Sequence, residues 1–90
     1  MAKFYPVKLK VISQKGTCVA GHKVGDEFES VGLAPNGLCL VALNAMMPSI
    51  WTLMYGGSFP WSEDAEAERV ACPDADNPVV FEVRRVSSES

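Results

Sequence analysis

Near the start of the chain, Val7, Leu9 and Val11 alternate with Lys8, Lys10 and Ile12. Near its end, Val79, Phe81 and Val83 alternate with Val80, Glu82 and Arg84. Successive side chains of a strand point to opposite faces, so this alternation predicts two strands, each with one buried face. Shorter stretches at Asp26–Val31 and Arg69–Cys72 predict two more. Turn formers separate the pieces: Gly25-Asp26, Pro35-Asn36-Gly37, Pro73-Asp74 and Asp76-Asn77-Pro78.

The middle of the chain follows another pattern. From Leu38 to Tyr55 it reads LCLVALNAMMPSIWTLMY, an apolar run broken only by Asn44, Pro48, Ser49 and Thr52. At helical spacing, Leu40, Leu43 and Met47 share one face, and Trp51 and Tyr55 continue it; Ile50 and Met54 form a neighbouring row. Pro48 has no N–H and clashes with the preceding turn, which predicts either a kink or two short helices with Pro48 opening the second. Gly56 or Gly57 can take the left-handed conformation that ends a helix. The expected architecture is α+β: a small, mainly antiparallel sheet with one apolar, Pro-interrupted helical segment packed on it. Residues 1–90 form a single domain, with an ordered core from about 4 to 86 and a frayed tail at Ser87–Ser90.

Charge sharpens this reading. The chain carries 8 Lys+Arg against 11 Asp+Glu, a formal net charge of −3. That balance argues against a nucleic-acid surface, which needs a positive field to meet phosphates. The charges are unevenly spread, and none lies between Ser30 and Ser62. An apolar run of this length brings a membrane helix to mind, since about 20 such residues span a bilayer. Pro48, the Gly56-Gly57 stop and the lack of a flanking basic cluster argue against that reading. A soluble helix apolar on nearly every side must be covered on nearly every side, and a 9.7 kDa chain has little material to do it. The expectation is a homo-oligomer with part of residues 38–61 at the interface. The start of the chain has no continuous apolar signal region, and three cysteines are an odd count without scaffold spacing. Both observations suit a cytoplasmic protein with reduced thiols.

The residues able to do chemistry are few. Cys18, His22, Cys39 and Cys72 together match a Cys₃His set of the kind that holds zinc and would also accept iron, in a structural, redox or sensing role. No C-x₂-C knuckle announces such a site, and free cysteine also behaves as a small buried hydrophobe. The alternative is therefore a metal-free homo-oligomeric assembly or small-ligand module whose cysteines are core. Cys18 and His22 could also form a thiol–imidazole pair oriented by Asp26 or Glu27, but nothing resembles an oxyanion hole. Phosphate loops, serine triads and paired-carboxylate motifs are absent from the sequence, which assigns neither a reaction nor a substrate. Trp51, Tyr55, Phe59 and Trp61 are candidate anchors for an interface or a ligand pocket.

The combination of GTCVAGHKVGDEF, PNGLCLVALNAMMPSIW, YGGSFPW and RVACPDADNPVVFEVRRV resembles a family of small, single-domain prokaryotic proteins of unassigned function. The resemblance runs from Val7 to Val86. It rests on Cys18, His22 and Gly25, on Cys39, on Gly56-Gly57 with Pro60-Trp61, and on Cys72 with Pro73-Asp74. Met54 departs from the pattern, standing where a basic residue is expected. The resemblance implies a compact stand-alone domain, and it strengthens the grouping of the thiols with His22.

Overall fold

The computed structural model describes residues 5–18 and 20–86. The expected fraying of Ser87–Ser90 lies outside them. Four strands and one helix follow in the order β1 (Val7–Gln14), β2 (Glu27–Ser30), α1 (Leu40–Met54), β3 (Ala67–Ala71) and β4 (Val79–Arg85). The strands form one antiparallel sheet in the order β2-β1-β4-β3. The fold is α+β, as the alternation implied.

The buried face of the sheet follows the period-two pattern. Val7, Leu9 and Val11 of β1 and Val79, Phe81 and Val83 of β4 are all essentially inaccessible. Leu9 lies opposite Val83, and Val11 opposite Phe81, so the two central strands share one apolar layer. A bulge between Val11 and Ser13 shifts the register for the last two pairs. The other face is polar. Lys8 lies opposite Glu29, and Lys10 opposite both Glu27 and Glu82. Lys8 also reaches Glu27 across the diagonal at 3.7 Å, an exposed pair that contributes ~1 kcal/mol or less.

Pro48 does not divide the helix: α1 runs through it as one element. Pro48 itself is exposed, and its carbonyl accepts a hydrogen bond from Thr52 Oγ1 at 2.8 Å. The face pressed on the sheet carries Ala42, Met46, Ser49, Ile50 and Leu53. Of the two rows expected from the sequence, Ile50 and Met54 are buried, whereas the row of Leu40, Leu43, Met47, Trp51 and Tyr55 is not. Leu40, Trp51 and Tyr55 are more than half exposed. The chosen face is the one with small residues, since Ala42 and Ser49 let the helix approach the strands closely where two aromatic rings would hold it off. Among the described residues no helix is long and apolar enough to cross a membrane.

Both ends of α1 are tied to other parts of the chain. It has no acidic residue in its first turn, no basic residue in its last, and no side-chain cap at Cys39. Its C-terminus closes on two glycines. Gly56 adopts φ +91°, and its N–H donates to the Leu53 carbonyl while that of Gly57 donates to Thr52, the paired bonds of a Schellman motif. Arg85, at the end of β4, completes the cap. Its guanidinium donates to the carbonyls of Leu53 (3.0 Å), Gly57 (2.9 Å) and Ala65 (3.3 Å), and lies 5.4 Å from the centre of the Tyr5 ring. With 9% of its side chain accessible, this cation sits where the helix presents its negative end.

Two outcomes follow. Gly56→Ala forces a β-carbon into the left-handed region and should cost about 1–2 kcal/mol in urea denaturation. Arg85→Met leaves three carbonyls without their charged donor and should cost more, about 2–4 kcal/mol; Arg85→Lys should recover only part, because a single ammonium cannot reproduce the planar fork.

Candidate functional site

The four candidate metal ligands occupy three regions. Cys18 lies in the long β1–β2 connection, where its carbonyl accepts the Gly21 N–H at 2.9 Å in a tight turn. His22 follows in the same connection and is 5% exposed. Cys39 is the residue that caps the N-terminus of α1. Cys72 follows β3, and its Sγ accepts a weak hydrogen bond from the Val79 N–H at 3.4 Å. All three cysteines are free thiols, half-buried and packed against the apolar core. That is how cysteine behaves as a small hydrophobe.

His22 is the best-defined member of the set. Its Nε2 accepts the backbone N–H of Cys39 at 3.0 Å, which satisfies a donor that opens α1. The ring stands edge-on to Phe28 of β2 and Phe81 of β4, with centroids 5.2 and 6.0 Å away. An Nε2 that accepts a hydrogen bond carries the proton of the neutral ring on Nδ1. The lone pair that would bind a metal is therefore already directed at a peptide N–H. Among the described residues, no three histidine, cysteine, aspartate or glutamate side chains are grouped so as to hold a metal ion. Asp26, weighed as an orienting acid for His22, instead accepts the Lys23 N–H at 2.9 Å within its own turn.

The aromatic candidates also separate. Phe59 and Trp61 pack on each other beyond the C-terminus of α1, with ring centres 5.2 Å apart. Trp61 Nε1 donates to Glu68 at 2.6 Å, and its ring borders a polar cleft of about 430 Å³ with Arg69, Glu82 and Arg84. Part of the charge of that cleft is paired internally, since Arg84 meets Asp64 at 2.9 Å and Glu82 at 3.1 Å. The Glu66 N–H and the Arg84 guanidinium hold the Asp64 carboxyl below its usual range. Its bond to Glu82, with that to Asp64, raises Arg84 above its usual value.

Trp51 and Tyr55 face elsewhere. With Leu33, Ala34, Leu43 and Met47 they line a shallow groove of about 140 Å³ between α1 and the loop that follows β2. Leu33 of that loop is 76% exposed, and Leu40, the first residue of α1, 77%. No charged side chain lines the groove. Sequence reasoning found the helical half of this face but missed Leu33 and Ala34, which reach it only through the fold of the loop. Arg85 was missed altogether. Its one sequence signal was a basic residue continuing the buried alternation of Val79, Phe81 and Val83.

Comparisons with known proteins returned no matching family model, curated protein or solved structure.

Replacing His22 separates packing from polarity. His22→Phe retains an aromatic ring between Phe28 and Phe81 but removes the acceptor for the Cys39 N–H, and should cost about 1–3 kcal/mol in denaturant unfolding. His22→Ala adds a cavity and should cost more than His22→Phe.

Proposed function

We propose that this protein is a metal-independent interaction module whose working surface is the groove and adjoining face of α1 formed by Leu33, Leu43, Met47, Trp51 and Tyr55. The observation that carries this reading is the exposure of Leu33, Trp51 and Tyr55 around one uncharged groove. A soluble chain that leaves such a patch in water commonly has a use for it. Packing does not explain the exposed residues: the core is already complete with Ala42, Met46, Ile50 and Leu53 beneath the helix. Within this reading the cysteines contribute volume and His22 contributes a hydrogen bond.

Metal binding through Cys18, His22, Cys39 and Cys72 is the second reading. Its support is the donor set itself and the approach of His22 to the backbone of Cys39. A metal would have to displace that hydrogen bond, so the interaction reading accounts for more of the arrangement.

The two readings give opposite results with chelator. Under the interaction reading, protein purified without an affinity tag contains far less than one zinc or iron per chain, and a strong chelator leaves its denaturant midpoint unchanged. Stoichiometric metal with a chelator-sensitive midpoint would reverse the choice. The surface assignment has its own check. At sub-micromolar protein, a solvent-sensitive apolar dye should bind the wild type and bind Trp51→Glu much more weakly. Because Trp51 lies outside the core, that substitution should change folding stability by only about 0.5 kcal/mol.

A further inference from the structure

We infer that the occupant of the α1 face is a second copy of this chain, with the two helices packed antiparallel about a two-fold axis near Met47. This inference rests on the reading of that face as the working surface and names its partner.

Charge is the first support. The face is drawn from a stretch, Ser30 to Ser62, that contains no Asp, Glu, Lys, Arg or His. A partner chosen by charge would find nothing there to pair with. Two copies meet without repulsion, because their lysines, arginines and carboxylates lie in other segments, including the polar face of the sheet.

Area is the second. Leu33, Leu40, Trp51 and Tyr55 are each more than half exposed, and half-buried Leu43 and Met47 lie between them. With roughly 150–250 Å² in each aromatic side chain and somewhat less in each leucine, these exposures amount to on the order of 500 Å² of mostly apolar surface. A standard interface buries about 800 Å² per partner, of which a little over half is apolar. The face therefore holds about the apolar area that one such contact requires.

Shape and polarity are the third. A two-fold contact needs projections and a recess on the same surface. This face has both, with Leu33 and Leu40 projecting beside the groove. An antiparallel crossing centred between Met47 and Pro48 sets Leu40 of one copy opposite Tyr55 of the other, and Leu43 within one residue of Trp51. It also brings the first turn of each helix, which has no acidic residue, beside the negative C-terminal turn of its neighbour.

Sedimentation equilibrium of the full chain tests the inference. The wild type should approach twice 9.7 kDa as its concentration rises through the micromolar range. Leu40→Lys and Tyr55→Glu change exposed positions and should leave the fold intact, as circular dichroism can verify. Each should raise the dimer dissociation constant by about 100-fold or more, since each buries an unpaired charge at an apolar contact. The double variant should regain most of the lost affinity, because the register sets the two introduced charges opposite each other twice per dimer. A wild type that stays monomeric throughout overturns the inference. So does a double variant as weak as its parents, since that removes the antiparallel register. A monomeric wild type that still binds the apolar dye, with binding lost in Trp51→Glu, leaves the working surface standing and removes only the second copy. A monomer that binds no dye removes both.

Discussion

The placement of α1 depends on hydrogen bonds that the helix cannot supply for itself. A helix exposes unsatisfied N–H groups at one end and carbonyls at the other, and this one carries neither an acidic first turn nor a basic last turn. Other parts of the chain provide for both. His22 accepts from Cys39 at the start, and Arg85 donates to Leu53 at the end. One anchor comes from the β1–β2 connection and the other from the last residue of β4, so the helix is fixed against the sheet at two points about its own length apart. Its rotation is fixed as well. The two anchors hold the rotation that packing of Ala42 and Ser49 against the sheet selects, the one that leaves Leu40, Trp51 and Tyr55 exposed.

The same arrangement explains why the histidine and the cysteines look more chemical in sequence than in space. Cys18 and His22 are four residues apart, a spacing that invites a ligand pair. In the fold the imidazole is engaged by a backbone group seventeen residues further on, and its ring is held between phenylalanines of β2 and β4. The Nε2 of a buried neutral histidine needs a donor, and a helix N-terminus needs acceptors; here one contact serves both needs. Among the described residues no buried side-chain nitrogen or oxygen lacks a hydrogen-bond partner.

The strands were legible in the sequence because their faces differ sharply. Lys8 and Lys10 cannot be buried cheaply, so Val7, Leu9 and Val11 must be. The helix was legible in its existence and extent, and Gly56-Gly57 marked its end correctly. Its orientation was not legible. With apolar residues on both sides, hydropathy gives no preference, and size decided instead: the sheet took the side with Ala42 and Ser49. Of the two outcomes open at Pro48, the continuous helix excludes the division into two. The missing N–H matters less at an exposed position on a helix held at both ends than it would in an isolated one. Of the proposed working surface, Trp51 and Tyr55 were visible as candidates, while Leu33 joins it only through the fold; the capping role of Arg85 likewise depends on contacts distant in the chain, for which a single sequence holds little signal.

The strand order has a consequence for the order of events during synthesis. The two central strands, β1 and β4, come from opposite ends of the chain, and the Val86 N–H closes the pair on the Pro6 carbonyl at 2.8 Å. Val11 has no Phe81 to meet until the intervening residues and β4 have left the ribosome. Until then α1 has neither its sheet nor Arg85, and its apolar side chains emerge with nothing to cover them. Folding must therefore wait for the last strand and then close loops that span most of the chain, which places it among the slower topologies for a domain of this size. The interval in which the uncharged segment is exposed is set by translation as much as by thermodynamics, and it is then that this chain is most open to misassembly or chaperone capture.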